Sequence, residues 1–131
     1  MTNTSHFCKG RAVRVIEATV GNLRYLEFAV NVQNKKLIHG LPDDTIIEVP
    51  ALIDLNEIQP IYIGKLSDGI TCMLYTQAII QRLSVDAAIE GDKEKALQAM
   101  LLDPVVDEFE NARKCLNELL EVHSDLLPRF R

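Results

Sequence analysis

The first helix is predicted by the spacing of apolar residues near the beginning of the chain. Between Gly10 and Val20, the residues Val13, Ile16 and Val20 recur at intervals of three and four, as they do on one face of a helix. Asn22 follows shortly afterwards, and asparagine readily takes the left-handed conformation that ends helices. We therefore expect a helix from about Gly10 to Val20.

The period changes to two between Tyr25 and Val32, where apolar and polar residues alternate. Such alternation places one set of side chains on one face of a strand. The set predicted to be buried consists of Leu26, Phe28, Val30 and Val32. The next segment, Gln33 to Pro42, contains glycine and proline and is predicted to be a loop.

A β-hairpin is predicted from two apolar, β-branched runs, Thr45–Ile53 and Ile58–Ile63. The Asp-Leu-Asn-Glu sequence between them contains turn formers, whose side chains bond nearby backbone groups. Pro50 and Pro60 lie inside the two arms and lack the N–H group that a ladder requires. Each proline is therefore expected at a sheet edge or at a β-bulge.

A long helix is predicted after Gly64. Ser67 or Asp68 is expected to cap it, and it should run to Glu90, because Gly91 is a good helix terminator. Its predicted apolar stripe consists of Met73, Thr76, Ile80, Leu83 and Ala87.

Two further helices are predicted in the remaining sequence. Asp92 is expected to cap a short helix over Lys93–Leu102. Asp103 and Pro104 are expected to open the last helix, over about Val106–Val122, because a proline in the first turn loses no hydrogen bond. Its predicted buried face consists of Phe109, Ala112, Leu116, Leu119 and Leu120.

This order of elements predicts an α+β fold, with a small mixed or antiparallel sheet that contains a hairpin and is packed by about four helices. The chain of 131 residues is long enough for one domain with a core of its own. Residues 1–9 are polar and are expected to be disordered or introduced by cloning. The domain is expected to span residues 10–131.

Composition narrows the class of partner. Hydrophobic residues make up 47% of the chain and charged residues 25%, and the net charge is −5. A chain this acidic, without a basic cluster, is a poor ligand for nucleic acid. No apolar run reaches the roughly 20 residues of a membrane span, and three widely spaced cysteines fit a reducing cytosol. We expect a cytoplasmic protein that binds neither nucleic acid nor membrane.

Local motifs for cofactor or metal chemistry do not occur in the sequence. The six glycines form neither GxGxxG nor GxxxxGK[ST], and no CxxC, HxxxH or HExxH spacing exists. The three histidines, His6, His39 and His123, lie far apart. No catalytic, cofactor-binding or metal-binding residue is therefore predicted in this chain.

Weaker polar candidates each have a simpler structural interpretation. Asp44 and Glu48 could share one strand face beside Asp43 as a carboxylate cluster, but the Pro-Asp-Asp sequence favours a turn. Asn31 and Asn34 could contact a sugar through their amide groups, yet turn-forming side chains at a strand end are favoured.

Four further candidates are histidine, cysteine and lysine residues. His39 could act as an acid–base group, although a solvated loop histidine is favoured. Cys72 and Cys115 are interpreted as packing residues of helices rather than nucleophiles. The run from Lys93 to Lys95 is interpreted as a solvated helix face.

Several longer runs resemble the C-terminal region of family 4 glycoside hydrolases, in the same order and spacing. The segment LPDDTIIEVPALID resembles the family's LPDDAVVEVPALVD, and HSDLLPRF resembles HGDWLP. The other runs are FAVNVQN, IQPIYIGKL and LSVDAAIEGDKEKALQAMLLDP. Together they cover most of the chain from about Ala12, and their joint order is much more specific than any single run.

The resemblance implies the C-terminal domain of an NAD- and manganese-dependent glycosidase, similar in fold to lactate and malate dehydrogenases. Family members include α-glucosidases, α-galactosidases and 6-phospho-glucosidases that cleave glycosidic bonds by a redox and elimination route. Their N-terminal Rossmann domain and metal-binding residues lie upstream of the matched region. The resemblance therefore implies no cofactor in this chain, and Cys8 and His6 do not correspond to the family's metal pair.

The chain departs from the family pattern at four places. Gln33 replaces the proline of NVPN. Glu57 stands where the hairpin turn often has glycine. If Glu57 has a positive φ, its backbone is expected to be strained; the strain is avoided if Asn56 takes that conformation instead. Ser67-Asp68-Gly69 replaces Pro-Pro-Gln. Leu74-Tyr75 replaces a polar pair, which removes a charge from the helix expected to face the rest of the enzyme and puts a family-typical contact in doubt.

Three functions are compatible with these observations. The favoured one is the C-terminal portion of a family 4 glycosidase, inactive alone. The second is a stand-alone oligomerisation or binding module, and the third is an independent enzyme with an unrecognised site. The first two predict a homo-oligomer or docking onto an N-terminal Rossmann domain, because a domain separated from its partner exposes an apolar face.

Overall fold

The computed structural model describes residues 10–130 and confirms the α+β prediction. Its elements are α1 (Arg11–Gly21), β1 (Tyr25–Gln33), β2 (Ile46–Ile53), β3 (Ile58–Pro60), α2 (Asp68–Glu90), α3 (Lys93–Leu102), α4 (Phe109–Val122) and a 3₁₀ turn, η1 (Pro128–Phe130). The chain divides into two compact units between residues 66 and 67. The amino-terminal unit holds α1 and the sheet, and the carboxyl-terminal unit holds α2 to η1. The expected disorder of residues 1–9 lies outside the described residues.

The sheet of the amino-terminal unit is antiparallel, in the order β1-β2-β3. The predicted hairpin is confirmed, although its second arm ends at Pro60 rather than at Ile63. Asp54 builds its turn by accepting a hydrogen bond from the backbone N–H of Asn56 at 2.9 Å. Pro50 lies opposite a bulge in β1, and Pro60 ends the edge strand β3, so both prolines occupy positions that need no ladder N–H. Glu57 is not strained, because its φ is not positive.

A β-bulge lies in β1, and the half of the strand before it buries the face opposite to the predicted one. The pairing advances by three residues in β1, from Glu27 to Val30, while it advances by two in β2. Val30 and Val32 are partly buried, as predicted. Before the bulge, however, Glu27 is only 5% exposed, whereas Phe28 is 75% exposed and Leu26 is also exposed. The prediction is wrong there because one extra residue shifts the alternation by one.

A small aliphatic cluster forms the core beside the sheet. The loop after β1 contributes Ile38 and Leu41, which pack against Ile47 and Val49 of β2. The core therefore depends on the loop as much as on the regular elements.

Helix α1 precedes the sheet and ends as predicted, with Asn22 in the left-handed conformation at φ 50°.

The carboxyl-terminal unit begins with α2, which ends at Gly91 with φ 73° as predicted. Asp92 caps α3, because its Oδ1 accepts hydrogen bonds from the backbone N–H groups of Glu94 at 2.9 Å and Lys95 at 3.1 Å. Ser67 occupies the cap position of α2 but makes no side-chain capping bond. None of the described helices is long and apolar enough to cross a bilayer.

Helix α4 begins at Phe109, three residues later than predicted. Asp103 accepts hydrogen bonds from Val105 and Val106, so this segment forms a separate turn rather than the first turn of the helix. Of the predicted buried face, Ala112 is buried and Leu116 and Leu120 are partly buried. Phe109 and Leu119 are exposed, so the prediction is wrong for them.

Candidate functional site

The carboxylate candidates at the start of β2 do not converge on one site. Asp43 and Asp44 form an exposed turn, and Glu48 lies within the strand, where it pairs with Asn31 of β1. Within residues 10–130, no group of three or more histidine, cysteine, aspartate or glutamate side chains is placed to hold a metal ion. The arrangement supports the turn interpretation of the Pro-Asp-Asp sequence.

Asn34 is a structural residue of the loop after β1. Its side chain is 0% exposed, and its Nδ2 donates to the carbonyl oxygens of Ile38 and Leu41, each at 3.1 Å. Its Oδ1 accepts a hydrogen bond from the N–H of Ile38 at 2.8 Å. A side chain so enclosed cannot contact a sugar, whereas Asn31 is exposed on β1.

His39 has a partner that lies far away in the sequence. Its Nε2 lies 2.7 Å from the hydroxyl oxygen of Tyr62, and the two rings meet edge to face with centroids 5.6 Å apart. Both residues are exposed. The pair tethers the loop after β1 to the segment after β3, which is a role that the sequence did not indicate.

The cysteine and lysine candidates are all at the surface of the carboxyl-terminal unit or close to it. Cys72 and Cys115 are free and exposed, so their interpretation as packing residues is wrong. Lys93 and Glu94 are exposed, as predicted for a solvated face. Lys95 is partly buried, and its Nζ lies 2.6 Å from a carboxylate oxygen of Glu90, which joins α3 to the end of α2.

Glu27 is a buried carboxylate that sequence reasoning did not identify. Arg11 donates to its Oε1 from Nη2 at 2.8 Å and from Nε at 3.2 Å, and the N–H of Phe28 donates to the same oxygen at 2.9 Å. The hydrogen bond from Arg11 is the main cause that holds the pKa of Glu27 below its ordinary value, although desolvation opposes it. This ion pair fastens α1 to the sheet.

Helix α1 presents its apolar stripe away from the sheet to which the ion pair fastens it. Arg11 and the buried Ala18 lie on the side of the helix that faces the sheet. The α1 stripe, defined as Val13, Ile16 and Val20, lies about half a turn away, at 100° per residue. Ile16 is 60% exposed and Val20 is 77% exposed. Among the described residues, the strongest apolar face of this helix is therefore exposed.

A second apolar surface lies on the first half of α2. This helix has 23 residues and α3 has 10, so their lengths are about 34 and 15 Å at 1.5 Å per residue. The short turn at Gly91 folds α3 back along the second half of α2 only. The first half carries the α2 patch, defined as Ile70, Met73 and Leu74, which share one side of the helix and of which Met73 is 72% exposed. Met73 was predicted to belong to a buried stripe, and that prediction is wrong.

These two surfaces are the features most suited to a function, because large exposed apolar groups on a folded domain mark contact sites. Periodicity alone found both helices, but it could not show which face each helix buries. The polar groups found in the described residues instead hold loops and helix ends in place.

Comparison with known families agrees with the architecture. The sequence profile described as the family 4 glycosyl hydrolase C-terminal domain matches residues 2–106. A probable 6-phospho-beta-glucosidase of Bacillus subtilis (strain 168) is 33% identical over 77% of this chain and 23% of its own length. An alpha-galactosidase of the same organism is 30% identical over 90% of this chain and 28% of its own length.

Solved structures give the same result. A 6-phospho-alpha-glucosidase from gut microorganisms, in complex with NAD and Mn²⁺, has a TM-score of 0.82 at 27% identity, over 89% of this chain and 26% of that one. The 6-phospho-beta glucosidase from Thermotoga maritima, with manganese, NAD⁺ and glucose-6-phosphate, has a TM-score of 0.78 at 25% identity. This chain spans about a quarter of the length of these relatives. The chain therefore belongs to family 4 of the glycosyl hydrolases, as a form of that family's C-terminal domain.

Proposed function

We propose that this chain is the structural C-terminal portion of a family 4 glycosidase-like protein and does not cleave glycosidic bonds alone. The observation that carries the proposal is its share of about a quarter of the length of its relatives. NAD and Mn²⁺ are present in structures of longer relatives. The residues from 10 to 130 fit neither group, because they offer no glycine-rich phosphate turn and no cluster of metal ligands.

Activity assays test this proposal directly. The purified chain is incubated with 4-nitrophenyl glucosides and galactosides, with and without a 6-phosphate, in the presence of NAD⁺ and Mn²⁺. We expect no release of nitrophenol above the blank. Turnover that scales with protein concentration and disappears on heat denaturation would show that the chain is an enzyme by itself.

The proposed partner is an apolar surface, supplied either by an N-terminal Rossmann domain or by a second copy of this chain. The α1 stripe and the α2 patch support this, because each exposes large apolar side chains that a partner would cover. The same surfaces favour the second candidate function, a stand-alone oligomerisation module.

Light scattering on a size-exclusion column separates these possibilities. We expect concentration-dependent self-association of the isolated chain, weakened by Ile16→Asp or Met73→Asp. The matched control is Thr19→Asp, an exposed residue of α1 outside its stripe. A monomer at millimolar concentration would contradict self-association and leave docking to another domain as the use of these surfaces.

We also propose that the protein works in the cytoplasm. The exposed thiols of Cys72 and Cys115 support this, since a reducing compartment keeps such groups free. Alkylation of cell extracts under denaturing conditions should find both thiols reduced, whereas disulfide-linked species would oppose the proposal.

A further inference from the structure

A crevice of about 460 Å³ lies within the carboxyl-terminal unit. All three helices and the 3₁₀ turn line it. Its apolar walls include Ile80, Ala87, Ala96, Met100, Leu116 and Phe130. The crevice opens to the surface, so a ligand from solution can enter it.

The crevice arises from the way the helices are connected. Helix α3 packs closely on α2 because alanines such as Ala87 and Ala99 are buried between them. Helix α4 follows a longer connection, over residues 103–108, and packs mainly on α3. It therefore stands away from α2, and the gap between them stays open.

The size of the crevice suits a small organic molecule. Ligand sites have volumes of roughly 300 to 1,000 Å³. An apolar cavity of about 150 Å³ is already large enough to bind benzene. The crevice thus has room for an aromatic molecule of one or two rings.

The polar groups of the crevice narrow the ligand class. The hydroxyl of Ser84 donates to the carbonyl oxygen of Ile80 at 2.8 Å, and Asp103 accepts a hydrogen bond from the N–H of Val105 at 3.1 Å. Both groups can still accept further hydrogen bonds, but the other lining residues are apolar, so most hydroxyl groups of a sugar would find no partner in the crevice. From residue 67 onwards the chain has 12 acidic and 7 basic residues, so an anion would be repelled.

We propose that this crevice binds a neutral aromatic molecule of one or two rings through apolar contact. The contacts would come from the aliphatic walls and from the ring of Phe130. This proposal is independent of the proposed docking surfaces, because no residue that lines the crevice belongs to the α1 stripe or to the α2 patch.

Calorimetric titration with indole tests the proposal. We expect saturable one-to-one binding with a submillimolar dissociation constant, since small ligands gain up to about 1.5 kcal/mol per heavy atom. Ala96→Phe places a ring in the crevice and should weaken indole binding at least tenfold. Gln98→Phe, at an exposed position of α3, is the matched control and should bind as the wild type does.

A second variant keeps the test decisive if Ala96→Phe does not fold. Ser84→Leu extends into the crevice from an exposed position of α2 and should also weaken binding. The proposal is overturned if the wild type shows no saturable binding at millimolar indole. It is equally overturned if both filling variants bind indole as tightly as the Gln98→Phe control does. A third contrary result is a dimer that the filling variants disrupt in light scattering, because a second copy of the chain would then occupy the crevice.

Discussion

At the residue scale, buried polar side chains decide the shape of the loops. Asn34 acts as an internal brace, because its amide satisfies backbone groups that the loop after β1 would otherwise bury without partners. We predict that Asn34→Ala lowers the free energy of unfolding by about 3 kcal/mol, since each orphaned buried group costs about 1–3 kcal/mol. Urea unfolding followed by circular dichroism measures this.

The control for that prediction is Asn31→Ala, at an exposed asparagine on the neighbouring strand. It should change the free energy of unfolding by no more than about 0.5 kcal/mol. Equal effects of the two substitutions would show that Asn34 does not brace the loop.

The ion pair of Arg11 and Glu27 predicts a pH dependence of stability. The pKa of Glu27 is lowered in the folded state, so the pair stabilises the fold above the unfolded pKa of an ordinary glutamate, and this stabilisation is lost as the pH falls through the folded pKa. Glu27→Gln should therefore be less stable than the wild type at pH 7, and the difference should shrink steadily below about pH 4.3.

Urea denaturation at several pH values measures that difference. Glu118→Gln, on an exposed part of α4, serves as the control and should track the wild type. A gap between Glu27→Gln and the wild type that stays constant down to pH 2 would contradict the proposed role of the ion pair.

Single residues also show where sequence reasoning reaches its limit. The turn role of Asp54 follows from local chemistry and could be predicted. The partners of Glu27 and His39 could not, because Arg11 and Tyr62 lie 16 and 23 residues away in the chain. Only the folded sheet and loops bring these groups together.

At the element scale, the end of the chain fastens the turn between α2 and α3. The guanidinium of Arg129 donates to the carbonyl oxygen of Ile89, and the backbone of Arg129 passes directly over Gly91. A Cβ atom at Gly91 would overlap the Arg129 carbonyl oxygen, and Gly91 also has φ 73°. This turn therefore requires glycine for two independent reasons.

Gly91→Ala should lower the free energy of unfolding by at least about 2 kcal/mol, because it adds a left-handed alanine and displaces the tail. Thermal or urea unfolding measures the loss, and faster tryptic cleavage after Arg129 should report the released tail. Gly69→Ala is the control: it meets open space in the first turn of α2 and should be neutral or stabilising by up to about 1 kcal/mol. A Gly91→Ala variant as stable as this control would contradict the tail contact.

Elements were predicted well where their ends carry local chemistry. The bounds of α3 follow from the Asp92 cap, and the end of α2 follows from Gly91. The buried face of β1 failed because a bulge is set by pairing with β2, which a single strand does not reveal. The outward direction of the α1 stripe could not be predicted for a similar reason, because the sequence period identifies an apolar face but not what packs against it.

At the scale of the whole molecule, the chain has the family 4 C-terminal domain and spans about a quarter of the length of its relatives. The family profile covers residues 2–106, which include α1 to α3, and among the described residues each of the two units exposes large apolar side chains. The family was recognisable from the sequence because several runs keep their order.

Calorimetric titration of the purified chain with NAD⁺, with and without Mn²⁺, measures whether cofactor chemistry belongs to this portion. The full-length 6-phospho-beta glucosidase from Thermotoga maritima, whose structure contains NAD⁺ and manganese, is the positive control. We predict no saturable heat of binding for this chain under conditions in which the control binds. Saturable one-to-one binding of NAD⁺ or Mn²⁺ to the isolated chain would contradict the proposal that it is the structural portion of a family 4 glycosidase.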